Sequence, residues 1–347
     1  MKWNKKTDSI YLAVGHGTQL NGVWDSGCAY SQYTEAALML PIVKAAVKLL
    51  RKSGVKVYTD ADKGNNKNMT ATVAEANKKK VTLYASVHND YSGSKSGIMF
   101  YYGSAKGKAF GDTVCKYMAK IMGLKFKGGT KDTAKYEVGK PTMPSVILEL
   151  GSIKEDISKL KQSKKYGRAL AKGICKYIGV KVYVSNRTKI ARKANELAYP
   201  KNPKKAKYPS GKPTPKYKKG LKHAYPKRAT WSKPARLGAS CDVFMGTCVR
   251  ESGVDKGFPR GLSDQIKYLE ASDKFKRVKN PKLKDMKDGY IVVYKNKTGN
   301  KGHIWMFHSG KCKHASYNKY YPRTTNSAKS QLSSAKRKWV RVYTAKG

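Results

Sequence analysis

Five short apolar runs in the first 180 residues, with helical patterns between them, restrict what this chain can fold into more than any other feature. The runs are Ser9–Val14, Val55–Tyr58, Val81–Val87, Gly97–Tyr102 and Ser145–Leu150. They are bounded by Gly, Asn, Asp or Pro, as buried strands are. Between them Leu38, Ile42, Ala45, Ala46, Leu49 and Leu50 recur at helix spacing until Gly54 stops them. Pro41 falls near the start of that helix, where a proline does least harm. Phe110–Met122 and Tyr166–Ile178 read as further helices, ended by Gly123 and Gly179. Alternation of this kind predicts an α/β fold, a mostly parallel sheet flanked by helices on both faces.

The pattern then breaks. Residues 200–230 read PKNPKKAKYPSGKPTPKYKKGLKHAYPKRAT, rich in lysine and proline and without an acidic residue. Such a segment is expected to be an extended, self-repelling linker. Val182–Leu197, just before it, reads equally as a closing helix or as part of that linker. A second domain is expected from Trp231, with a helix over Cys241–Ser252 and strands over Gly289–Tyr294 and His303–His308. A helix followed by strands suggests a smaller α+β domain. The expected division is 1–180, a linker over 181–230, and 231–347.

Lys and Arg number 73 against 22 Asp and Glu, a net charge of +51. That excess calls for a polyanionic neighbourhood: nucleic acid, an anionic cell wall or a membrane surface. Lysine greatly outnumbers arginine, whereas reading bases and phosphates bidentately favours arginine. No run approaches the roughly 20 apolar residues of a membrane helix. The N-terminus lacks the apolar core of a secretory signal. The six cysteines, with no CxxC pair, are therefore expected to be reduced.

Chemistry-bearing residues concentrate at the ends of the expected elements. His16 follows the first strand in IYLAVGHGTQ, between two glycines. His88 ends a strand in LYASVHND, Glu35 opens a helix in SQYTEAALML, and Glu149 lies among Val, Ile and Leu in PSVILELGS. A carboxylate so placed is costly to bury unless it is paired or working. Three His and carboxylate ligands with one open position are the make-up of a catalytic zinc site. Strand ends on one edge of an α/β sheet are where such ligands converge. In this order and separation, AVGHGTQ, YTEAALML, SVHND and PSVILELGSI resemble the zinc-dependent N-acetylmuramoyl-L-alanine amidases, over roughly Ser9 to Val180. The resemblance implies that His16, Glu35 and His88 hold Zn2+. It also implies that Glu149 is the catalytic carboxylate, taking a proton from an activated water and returning it to the leaving amine. The segment WDSGCAYSQYTE departs from the family pattern, and Cys28 within it is given no role.

Cys241 stands where a helix should begin, and a helix N-terminus stabilises a thiolate. Cys248, inside the same helix, reads as core. A cysteine nucleophile needs a histidine base and a group to orient it. His303 opens a strand, and His314 lies where the returning strand comes alongside. SCDVFMGTCVRESG, FPRGLSDQ, MKDGYIVVY and GHIWMFHSGKCKHAS resemble the papain-like cell-wall peptidases of the NlpC type, over about Ser240 to Ser316. The resemblance implies Cys241 as nucleophile, His303 as base and His314 as orienting residue. This chain has SCDV where that family usually has Asp-Cys-Ser-Gly. His308 is given no role.

Together these features resemble a bacteriophage endolysin. The expectation is a monomeric peptidoglycan hydrolase, made in the host cytoplasm without a signal peptide and acting on the wall after release. Its partners are peptidoglycan and anionic cell-wall polymers, with no specific nucleic acid and no transmembrane segment. Two alternatives stand beside it: a zinc amidase with a non-catalytic wall-binding C-terminal domain, and a basic nucleic-acid-binding protein.

Overall fold

The computed structural model describes residues 3–62, 66–199, 214–226, 240–296, 302–315, 322–325, 328 and 337–347. It divides into two compact units, Met1–Tyr183 and Val184–Gly347.

The first unit runs, in chain order, β1 (Ser9–Val14), β2 (Ala29–Tyr30), β3 (Tyr33–Thr34), α1 (Glu35–Lys52), β4 (Lys56–Tyr58), α2 (Met69–Lys78), β5 (Leu83–Asp90), β6 (Ile98–Tyr102), α3 (Ala105–Met122), β7 (Phe126–Lys131), α4 (Tyr136–Gly139), β8 (Ser145–Ser152), α5 (Ile157–Leu160) and α6 (Ser163–Tyr177). Its main sheet has the order β4-β1-β5-β8-β6-β7. Only β6 and β8 pair antiparallel. The fold is the expected α/β one. Strand β1 is buried on both faces, which is why it reads as an unbroken apolar run. Ile10, Leu12 and Val14 join the core under α1, α3 and α6, while Tyr11 and Ala13 pack with Val73 and Ala76 of α2 on the other face. Each fully buried aliphatic side chain there contributes about 1.5–3 kcal/mol.

Among the differences from the sequence reading, three follow from local packing. Helix α1 starts at Glu35, so Pro41 lies inside it rather than near its first residue. Strand β5 continues to Asp90, so His88 lies within a strand rather than at its end. Strand β7 (FKGGTK) is an edge strand with no fully buried residue, so it lacks the apolar pattern that marks the others.

The second unit contains α7 (Asn186–Leu197), α8 (Pro215–Ala224), α9 (Cys241–Glu251), α10 (Leu262–Ala271), β9 (Phe275–Val278), β10 (Ile291–Asn296), β11 (Gly302–His308), β12 (Lys311–His314), β13 (Arg323–Thr325) and β14 (Arg337–Ala345). Its sheet has the order β13-β12-β11-β10-β14-β9, and every pairing is antiparallel. Helices over one such sheet give the α+β arrangement.

The expected linker over 181–230 is corrected here. Val184 to Leu197 belongs to the second unit, and Ile190, Ala194 and Leu197 of α7 enter its core. Helix α8, inside the lysine-rich stretch, buries Tyr217, Leu221 and Ala224, spaced four and three residues apart. Thr214 caps it by accepting the Tyr217 amide, and Pro215 takes the first helical position. The lysines hide this stripe from a composition argument. Residues 200–213 and 227–230 of the expected linker, and Trp231, the expected start of the second domain, lie outside the described residues.

Candidate active site

Three neighbouring strands of the first unit deliver the site. The end of β1 leads through Gly15 to His16, β5 carries His88, and β8 carries Glu149 beside it in parallel register. Glu35, the first residue of α1, comes from the flank. Among the described residues, His16, Glu35 and His88 are the group whose donor atoms could hold a metal ion, all within 4.8 Å of one another. His16 Nε2 lies 3.4 Å from Glu35 Oε2, and His88 Nδ1 lies 2.9 Å from Glu35 Oε1. The Glu35 carboxylate is held by two backbone amides, Asn89 N–H on Oε1 and Cys28 N–H on Oε2.

The glycines around His16 make room. A Cβ on Gly15 would lie 2.1 Å from the His88 ring, and one on Gly17 would meet the Asn66 carbonyl at 2.2 Å. Asn66 in turn donates its side-chain amide to the His16 carbonyl at 2.7 Å. Gly27, at φ 67°, brings the loop back so closely that a Cβ would meet both His16 and Glu35.

Two carboxylates that the sequence reading missed complete the arrangement. Asp25 Oδ2 lies 2.8 Å from His16 Nδ1, and Glu137 Oε2 lies 2.8 Å from His88 Nε2. Tyr84 donates its hydroxyl to the other oxygen of Glu137. A short WD step eight residues after His16 was a signal for Asp25. Nothing in KYEVG marked Glu137. Each imidazole therefore has one nitrogen engaged by a carboxylate and the other turned toward Glu35, the carboxylate–histidine pairing found around metal ligands.

Electrostatics follow from this crowding. Burial alone would raise Glu35, but the hydrogen bond from His88 and the charges of His88 and His16 hold it below the usual carboxylate range. Burial works against charge on His88, yet Glu137 and Glu35 lift it well above an ordinary histidine. The pocket is thus built to enclose a positive charge between His88 Nδ1 and Glu35. Glu149 is pushed up to about 7, chiefly by burial, with Glu35 and Asp90 acting in the same sense and His88 and Lys135 against it. Its Oε2 is buried without a hydrogen-bond partner. Cys28 is no ligand: its sulfur faces the Asn89 and Asp90 carbonyls, and burial raises its thiol.

In the second unit Cys241 is the first residue of α9. The Ile304 amide, next to His303 on β11, hydrogen-bonds its sulfur. His303 Nε2 lies 2.9 Å from His314 Nδ1. Cys241 thus lies against the residue next to His303, and His303 contacts His314. Burial pushes the Cys241 thiol up to about 11, outweighing the backbone amides that favour the thiolate. His314 is lowered to about 3 by burial, His303 and Arg323, and is neutral. His308 pairs with Asp288 at 3.2 Å, away from these groups in register. All six cysteines are free thiols.

An α/β sheet that gathers a His-Glu-His centre and a half-buried glutamate at one edge has the equipment of an amide hydrolase. Residues 10–180 match the N-acetylmuramoyl-L-alanine amidase family, and this stretch is an amidase domain of that kind. Among similar proteins is an uncharacterized 38.4 kDa protein of Clostridium perfringens, 26% identical over 153 residues. That match spans 41% of this chain and 45% of the relative, so the chain covers less than half of that protein's length. Similar solved structures include the N-acetylmuramoyl-L-alanine amidase AmiC2 of Nostoc punctiforme, at 25% identity and TM-score 0.45, covering 51% of this chain and 98% of that one. The catalytic domain of CwlV from Bacillus (Paenibacillus) polymyxa var. colistinus has 23% identity and TM-score 0.44, covering 50% and 100%.

Proposed function

We propose that the chain is a two-unit peptidoglycan hydrolase. The first unit is a zinc amidase that cuts the N-acetylmuramoyl–L-alanine amide bond. The second is a cysteine peptidase that cuts within the stem peptide. The observation that carries the reading is the convergence of His16, Glu35 and His88, with Glu149 beside His88 in register. The donor set fits zinc: two imidazoles and one carboxylate, with each imidazole oriented by a second carboxylate. Zinc held there supplies Lewis acidity and an acidified water. His16 Nε2, His88 Nδ1 and Glu35 would hold it. Glu149, poised near neutral, receives the proton of the attacking water at its buried carboxylate and passes it to the departing alanine nitrogen.

In the second unit His303 takes the Cys241 proton as the sulfur attacks, and His314 holds His303 through the Nε2–Nδ1 contact. A second reading is a unit that binds wall without cutting it, in keeping with a Cys241 thiol that burial pushes up to about 11. The net charge of +51 supports anionic wall polymers as the surface on which the enzyme works, and two cutting units in one chain support an endolysin role. The test digests purified wall with the parent chain, Glu149→Gln, Cys241→Ala and both together, and identifies the new ends by mass spectrometry. Two products, each lost with one substitution, are expected. A digest unchanged by Cys241→Ala would establish the binding reading for the second unit. Unchanged release of stem peptides by Glu149→Gln would overturn the amidase assignment.

A further inference from the structure

Arg323 stands beside the thiol–imidazole site with nothing to balance it. It is the cross-strand partner of His314 in the antiparallel β12–β13 pair. Directly opposed residues project from the same face, with Cβ atoms about 4.5–5.5 Å apart. All 22 Asp and Glu of the chain lie among the described residues, and none forms an ion pair with Arg323. The local sequence offers none either: Asp288 is the last acidic residue, and 289–347 carries only positive charge. Two arginines are matched by carboxylates, Arg51 by Asp62 and Arg341 by Glu270.

Two nitrogens at this place are buried without a hydrogen-bond partner, Arg323 Nε and His314 Nε2. The guanidinium is a permanent donor. For His303 to accept the Cys241 proton at Nδ1, its Nε2 must carry hydrogen and donate to His314 Nδ1. Neutral His314 then carries its own hydrogen on Nε2. Both orphan nitrogens are thus donors, side by side, and lack an acceptor. A half-buried cation without a counter-charge, its Nε shut away from water and unpartnered, is costly to a fold, and such a cost is retained where a ligand supplies the acceptor. The acceptor that answers a planar fork and a neighbouring imidazole N–H is a carboxylate.

We propose that the second unit takes a stem peptide bearing a free carboxylate beside the scissile bond, and that Arg323, with His314 Nε2–H, holds that carboxylate. This deepens the peptidase reading and rests on it for the identity of the substrate. The device sets which wall peptides are accepted: an amidated peptide leaves the guanidinium without a counter-charge, a free acid does not.

The test uses the full chain carrying Cys241→Ala, so that nothing is turned over. The probe is L-alanyl-γ-D-glutamyl-L-lysine with its glutamyl α-carboxylate free, against the same peptide as the α-carboxamide, by calorimetric titration. The free acid is expected to bind about tenfold more tightly, as suits one charge-assisted contact. Arg323→Gln is expected to abolish the difference, and Arg323→Lys to keep part of it. Equal affinity of the two peptides would overturn the proposal, and that comparison needs no substitution at Arg323. A preference that survives Arg323→Gln would also overturn it. A short glycerol-phosphate oligomer is the third arm: if it, rather than the peptide, shows the Arg323 dependence, the site reads wall phosphate and the proposal is wrong. A preference for the free acid in a parent chain whose Cys241 cuts nothing would remove the peptidase reading and leave this binding site standing.

Discussion

His88 Nε2 lies 2.8 Å from Glu137 Oε2, and both side chains are shut away from solvent. This contact sets which imidazole nitrogen faces Glu35 and the proposed zinc. Glu137→Gln keeps the shape and an acceptor but removes the charge. Zinc affinity, measured by chelator competition, is expected to fall about 10–100-fold, the usual cost of losing such an outer partner. The metal-free variant should stay folded by circular dichroism. Unchanged affinity would show that His88 orients itself without Glu137.

Glu149→Gln should keep one equivalent of zinc and lose about 10²–10⁴ in amidase rate, as when a general acid–base is removed. A pH signature accompanies it in the metal-free chain. Glu149 is raised from 4.5 to about 7 on folding. The folded state therefore binds its proton more tightly than the unfolded state does. The stability this gives is fully present below pH 4.5 and is lost as pH rises toward about 7. Denaturation of metal-free parent and Glu149→Gln across pH 4–8 should show the parent losing ground relative to the variant. Parallel curves would place Glu149 in an ordinary solvated setting.

Gly15→Ala tests the close packing at the end of β1. The added methyl would sit 2.1 Å from His88 Cε1, so the ring must move. A loss of about 1–3 kcal/mol, typical of overpacking, should come with reduced zinc stoichiometry. Full zinc binding with an unmoved His88 in a crystal structure of the variant would contradict this packing.

Cys241 is expected to alkylate slowly at pH 7, with a rate that climbs through the alkaline range toward about pH 11, where its thiol ionises. Iodoacetamide labelling followed by peptide mapping gives the profile. A plateau already reached at pH 7 would mean that His303 holds the sulfur as a thiolate at rest.

Leu221→Ala should cost about 2–5 kcal/mol in the unfolding of the second unit, because Leu221 is buried in α8. Chemical denaturation followed by near-ultraviolet circular dichroism measures it. A change below about 0.5 kcal/mol, the usual effect of a surface substitution, would return this segment to linker status.

The strands of the first sheet were legible because they are buried on both sides, and no other solution suits apolar runs alternating with amphipathic helices. His16 and Glu35 were legible because element ends are short-range features, and His88 and Glu149 because a polar residue inside an apolar run stands out locally. Edge strand β7 was not. Its residues satisfy hydrogen bonds without burying an apolar face, so it leaves no period of two. Helix α8 was hidden because its lysines carry the composition while three residues carry the packing.

Glu137 shows the deeper limit. It lies 49 residues from His88, and only the order β5-β8, with α4 leading into β8, brings the two together. Cys241 shows the same limit in sign. A helix N-terminus, which sequence can see, favours the thiolate, but burial beneath β11, which sequence cannot see, favours the thiol by more. Local sequence determined which groups carry chemistry, because propensity and periodicity are local. Their protonation and partners were decided by tertiary structure alone, because solvation and Coulomb energy depend on what lies within a few ångströms in space.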